Sequence, residues 1–144
     1  MTTNDTIYLL RECNSGAQMA VYSIDEVLEN VEDQKLRALL LDSKKHHEQF
    51  GNELHELLEK CGDEPKDPGV IAKGMSWMKT NAKLMVEGSD RVCASLITDG
   101  CDMGIKTMHR HLNEYSAADH TAQEKAQELI RMEEHLADEM TAYL

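Results

Sequence analysis

The residues best placed to do chemistry interrupt two apolar stripes. Ile7, Leu10, Asn14, Ala17, Val21, Ile24, Leu28 and Val31 recur at steps of three and four. So do Leu36, Leu40, Ser43, His47, Phe50, Leu54, Leu57 and Cys61. Those steps place each set on one face of a helix, and an apolar face turns toward a core. Asn14, Ser43 and His47 therefore sit in the interior, halfway along. Polar side chains at the middle of a four-helix bundle are what a buried di-metal centre is built from.

Other chemistry-bearing residues are scattered. Asp42 and His46, His55 and Glu59, His120 and Glu124, and His135 and Glu139 are spaced i, i+4. Such pairs can hold a stray Zn²⁺, but a solvated pair on a helix surface is the commoner outcome. His109 and His111 point to different faces, and His111 with Tyr115 reads as an inward pair. Cys13, Cys61, Cys93 and Cys101 form no CxxC, so neither a zinc knuckle nor a thioredoxin-like motif is present. Cys93 and Cys101 have no base at a recognisable spacing, which argues against a catalytic thiol. In a reducing cytosol all four are expected as free thiols. Neither a Gly-rich phosphate loop nor a serine nucleophile motif occurs.

The elements that must position these residues are helices. The first is expected over residues 4–31, capped by Asn4 or Asp5, with Gly16 kept for a close helix approach. A corner at Glu32-Asp33 leads to a second helix ending near Cys61, where Gly62 suits a C-cap and Pro65 and Pro68 forbid continuation. A short amphipathic helix is expected over residues 67–87, with Ile71, Met75, Met78, Ala82 and Met85 on one face. Lys73, Lys79 and Lys83 lie on the other, read as solvated lysines over an acidic bundle or, alternatively, as a partner-binding face; Trp77, off the main stripe, either widens the buried face or anchors a dimer contact. Gly88-Ser89-Asp90 breaks that helix and caps the third, over residues 90–115. The third turns Cys93, Leu96, Ile97, Gly100, Gly104, Met108, His111 and Tyr115 inward. The fourth, over residues 118–143, turns Ala122, Ala126, Leu129, Glu133, Leu136, Met140 and Tyr143 inward. Two hairpins of long helices joined by a crossover, about residues 63–88, make an all-α four-helix bundle. A connector of that length leaves the second and third helices parallel.

Composition narrows the function classes. One domain spanning residues 1–144 is expected from the length, large enough for a core without disulfides. Nine methionines against one Phe and one Trp suggest adaptable packing. A net charge of −12 argues against nucleic acid and anionic membranes as partners. No run of about 18 apolar residues exists, and the N-terminal stretch lacks the pattern of a signal peptide. A cytoplasmic location is expected, and a homodimer, because symmetric dimers are the commonest oligomers.

The stretches LLRECNSGAQMAVYSIDEVL, KGMSWMKTNAKL and TDGCDMGIKTMHRHLNEY carry a resemblance to a known group. Across nearly its whole length the chain resembles the ferritin-like superfamily, within it a branch of small uncharacterised bacterial four-helix-bundle proteins. The resemblance implies a place for a di-iron site: a Glu from each of two helices and Glu-x-x-His from each of the other two. The matching positions are depleted. Gln18 stands for the first Glu. Ser43-x-x-His46 or Lys44-x-x-His47 stands for one Glu-x-x-His, Asp102 beside Cys101 for the other Glu, and Met132-x-x-His135 for the last motif. At most one of Glu133 and Glu134 can face the seam. Buried carboxylates must offset the charge of two metal ions, and too few are present. The expectation is a non-catalytic bundle with a degenerate di-metal site, no assigned catalytic, cofactor or metal residue, and a structural or protein-interaction role. The alternative is a metal-binding protein (Fe, Mn or Zn) in iron or oxidative-stress handling, with one divalent ion near His47, Asp102, Glu133 or His135.

Overall fold

The computed structural model describes residues 3–62 and 90–144. The expected helix over residues 67–87, with Trp77 and its lysines, lies outside the described residues. Among the described residues there are four long helices: α1 (Asn4–Leu28), α2 (Gln34–Lys60), α3 (Asp90–Glu114) and α4 (His120–Met140), followed by a 3₁₀ turn at Thr141–Tyr143. No strand occurs among the described residues.

The helix starts follow from local hydrogen bonding. Thr3, not Asn4 or Asp5, caps α1, accepting the Thr6 N–H at 3.2 Å. Asp33 caps α2 and Asp119 caps α4 in the same way, through the N–H groups of Leu36 and Ala122. Asp5 is freed for a longer reach: its carboxylate accepts the Ala117 N–H at 3.0 Å, while the Thr6 hydroxyl accepts the Asp119 N–H at 2.8 Å. These bonds hold the start of α1 to the corner between α3 and α4. At the opposite end, the Asp90 carboxylate accepts the N–H groups of Glu32 and Asp33, at 2.8 and 3.1 Å. Asp90 thus holds the corner between α1 and α2 to the start of α3. Gly62, with φ of +76°, ends α2 in the left-handed conformation that favours glycine.

These latches fix the direction of every helix. The starts of α2 and α3 share one end of the bundle, so α2 and α3 run parallel. Residues 63–89 accordingly join opposite ends, about 40 Å apart by the rise of α2.

α1 packs against α2 and against both helices of the second hairpin. Gly16 permits the close approach to α4: a Cβ there would stand 3.0 Å from Leu129 Cδ2. The core divides into two apolar halves. One gathers Ile24, Val27, Leu36, Leu40, Cys93, Ile97 and Met140; the other Leu9, Cys13, Phe50, Leu54, Leu58, Met108 and Leu129. The apolar stripes drift slightly from their expected course. Leu58 is buried where Leu57 was expected, because 3.6 residues per turn outruns a strict seven-residue repeat. In α1 the shift is the other way, with Val27 buried in place of Leu28. α1 stops at Leu28 rather than residue 31, and α4 at Met140 rather than residue 143.

Candidate functional site

Between the two apolar halves lies a polar layer. Asn14, Ser15, Ser43, His47 and Glu133 are all buried there. His47 from α2 and Glu133 from α4 meet directly, with Nε2 at 2.8 Å from Oε1. The His47 side chain is 1% exposed and that of Glu133 8%. On its other edge, His47 Nδ1 lies 2.8 Å from the Ser43 carbonyl oxygen, with the Ser43 hydroxyl at 3.4 Å.

Chemistry assigns the protons. A carbonyl oxygen only accepts, so Nδ1 carries a hydrogen and donates it to Ser43. One further proton is shared between Nε2 and the Glu133 carboxyl. Burial works against a charged imidazole, but the hydrogen bond and charge of Glu133, aided by the Ser43 carbonyl, outweigh it and raise the pKa of His47. Protonation of His47 is therefore favoured beyond that of a free imidazole.

α3 contributes small groups to this layer. Cys101 is 2% exposed and sits beside Glu133. Burial first, and then the Glu133 charge, push its thiol well up, so it stays protonated and unreactive. Cys13 is likewise pushed up to about 12, mainly by burial. Gly104 leaves room for Glu133, whose Oε2 would be 3.7 Å from a Cβ at that position.

Two clefts reach His47 from outside. One, of about 380 Å³ between α1 and α2, is lined by Asn14, Gln18, Tyr22, Asn52 and His55 among others. The second, of about 220 Å³ between α2 and α4, brings Asp42 and His46 together with His135 and Glu139 along its walls.

The residues expected from the sequence separate into those that meet and those that do not. His47 and Glu133 meet, and Gln18 lines the cleft beside them. Asp102 does not join them: it is exposed on α3. His135 turns outward, 74% exposed, and pairs with Glu139 at 3.3 Å. His46 pairs on the surface with Asp42 at 3.6 Å, and Lys44 with Asp25 at 2.7 Å. Of the set His47, Asp102 and Glu133 or His135, the fold brings only His47 and Glu133 into contact; Asp102 and His135 stand on the surface. His120 and Glu124 form the expected exposed pair, at 3.1 Å. His111 stacks on Tyr115 as expected, and it also pairs with Glu12 of α1 at 3.2 Å. Spacing within one helix carried no signal for that cross-helix bond.

The donor set does not fit a di-iron centre. His47 is oriented as metal-ligating histidines are, with its second nitrogen bonded to a carbonyl. Around it, however, Glu133 is the one buried carboxylate among the described residues. No group of three His, Cys, Asp or Glu side chains able to hold a metal is assembled among the described residues.

The sequence comparison places the chain in a family. The model of a domain of unknown function, DUF2383, matches residues 5–114. The chain belongs to the DUF2383 family. No curated protein matches the chain. Among solved structures, the chain is similar to a DUF305 fragment from Deinococcus radiodurans, with a TM-score of 0.77 at 14% identity. The match covers 98% of this chain and 95% of the other. At that identity the likeness speaks to the fold alone, and the fold is the same all-α bundle. No helix among the described residues is long and apolar enough to cross a membrane.

Proposed function

We propose that this DUF2383 chain is a non-catalytic, ferritin-like helical bundle with a structural or protein-interaction role in the cytoplasm. In this reading the His47–Glu133 pair occupies the place of a metal centre and fixes how the two hairpins register. The observation that carries it is the mutual satisfaction of the pair: one proton bridges Nε2 and Oε1 at 2.8 Å, inside a layer with no second buried carboxylate among the described residues. A buried polar pair of this kind penalises misregistered packings, because any slip strands a charge in the core.

A second reading is favoured by one feature. The Nδ1–carbonyl bond orients His47 as a ligand, which suits a bundle binding Fe, Mn or Zn in iron or oxidative-stress handling. Elemental analysis of protein produced in iron-supplemented medium separates the two. The structural reading expects no stoichiometric metal and no change in melting temperature with a chelator. About one equivalent of bound metal, with a melting temperature that rises as metal is added, would establish the second reading instead.

A further inference from the structure

The outer face of α3 carries charges of both signs in an order that complements itself. Ser95, Asp99, Asp102, Met103, Lys106 and Arg110 fall along one stripe of the helix, and all six are exposed. From Ser95 to Arg110 the acidic residues come first and the basic residues second, while Arg91 lies one turn beyond the acidic end. Some surface charges elsewhere are matched internally, as in Lys44 with Asp25 and Lys125 with Glu53. Asp99, Asp102, Lys106 and Arg110 have no ion-pair partner among the described residues.

Between the two halves stands Met103, one of the few large apolar side chains left exposed, at 48%. Beside it runs a groove of about 220 Å³ between α1 and α3, walled by Gly16, Met19, Ala20, Gly100 and Gly104. The small residues leave the groove shallow-walled and apolar, wide enough to take an inserted methionine.

We infer that this face is where a second copy of the chain docks, α3 against α3, antiparallel about a two-fold axis passing beside Gly104. In that arrangement Asp102 faces the second copy's Lys106, and Asp99 faces the second copy's Arg110. Each Met103 enters the other copy's groove. The interface is isologous, so every favourable contact occurs twice. A net charge of −12 on each chain opposes self-association over most of the surface. On the α3 stripe Asp99 and Asp102 are balanced by Lys106 and Arg110, so a second copy meets attraction there rather than the repulsion of the net charge. The inference is independent of whether the bundle midpoint holds metal.

The test is oligomeric state by sedimentation equilibrium on the full chain, from roughly 1 to 200 µM, the weak end of interface affinities. The wild type is expected to dimerise, less tightly as salt is raised. Asp102→Lys places Lys opposite Lys106, and Lys106→Asp places Asp opposite Asp102. Each is expected to weaken the dimer at least about tenfold. The double variant Asp102→Lys with Lys106→Asp restores opposite charges and is expected to recover the wild-type constant. All are exposed positions, and circular dichroism confirms that each variant folds. A wild type that stays monomeric throughout, or a dimer that either single reversal leaves unchanged, overturns the inference. So does a double variant no tighter than the singles.

Discussion

His47 and Glu133 stabilise the bundle only as a pair. Removing the imidazole strands a carboxylate in the core, a loss on the order of 3–5 kcal/mol for a buried ion pair. His47→Ala is therefore expected to lower the urea midpoint by that equivalent. Glu133→Gln, which can donate an amide N–H to a neutral Nε2, should cost far less. A Glu133→Gln loss equal to that of His47→Ala would show that the bridging charge, not the hydrogen bond, matters. The pair also sets a pH dependence. Because the folded pKa of His47 is raised, its contribution is fully present below the unfolded value of about 6.5 and is lost as pH rises through the folded value. Stability of the wild type relative to Glu133→Gln should thus fall as pH rises from about 6.5. In the alkaline range the buried thiols, whose pKa values burial raises, add their own loss in both proteins. A difference that stays flat with pH would mean His47 is neutral in the fold. The sequence displayed much of this layer. His47 broke an apolar stripe, and Glu133 broke another, so both read as buried. That they bond to each other was not legible, because 86 residues separate them and no periodicity within one helix reports a partner on another. Asp102 was misplaced for a related reason: it follows the buried Cys101 by one residue, and a step of one turns a helical side chain through about 100°.

Helices were the most legible level, since steps of three and four over more than 20 residues admit no other element. Their ends were less so. Thr3 precedes the two better-known capping types at Asn4 and Asp5, and only the bond from Asp5 to Ala117 explains why Asp5 is engaged elsewhere. Glycines inside the helices were ambiguous in the same way, and the fold now separates them. At Gly51 nothing lies within 4 Å of an added Cβ, so Gly51→Ala should raise stability by up to about 1 kcal/mol through helix propensity alone. At Gly16 the same change meets Leu129 at 3.0 Å, so the propensity gain is offset by displaced packing. Gly16→Val, with its branched side chain, should be clearly destabilising, by about 1–3 kcal/mol as overpacked cores are. Chemical denaturation of the three variants orders them Gly51→Ala, Gly16→Ala, Gly16→Val from most to least stable. A Gly16→Val protein as stable as the wild type would mean α1 and α4 are not tightly apposed.

At the scale of the whole molecule, the parallel course of α2 and α3 rests on the end latches, Asp90 to the Glu32-Asp33 corner and Asp5 to Ala117. It was foreseeable from the connector length alone, since a chain that only had to turn a corner would need a handful of residues. The consequence can be measured. Six residues reach about 20 Å when fully extended, and 20 reach about 70 Å. The gap from the end of α2 to the start of α3 is about 40 Å by the rise of 27 helical residues. Replacing residues 63–89 by a 20-residue Gly/Ser linker should therefore leave a cooperative unfolding transition, whose midpoint does not change with protein concentration. A six-residue linker cannot join the hairpins within one chain. That variant should either lose the cooperative transition or recover it only by pairing hairpins between chains, with a midpoint that climbs with concentration. Comparing the two linkers with each other cancels whatever residues 63–89 contribute by packing. A six-residue variant that melts at the same temperature as the 20-residue variant, at every concentration, would place the start of α3 beside the end of α2 and reverse the direction of the second hairpin.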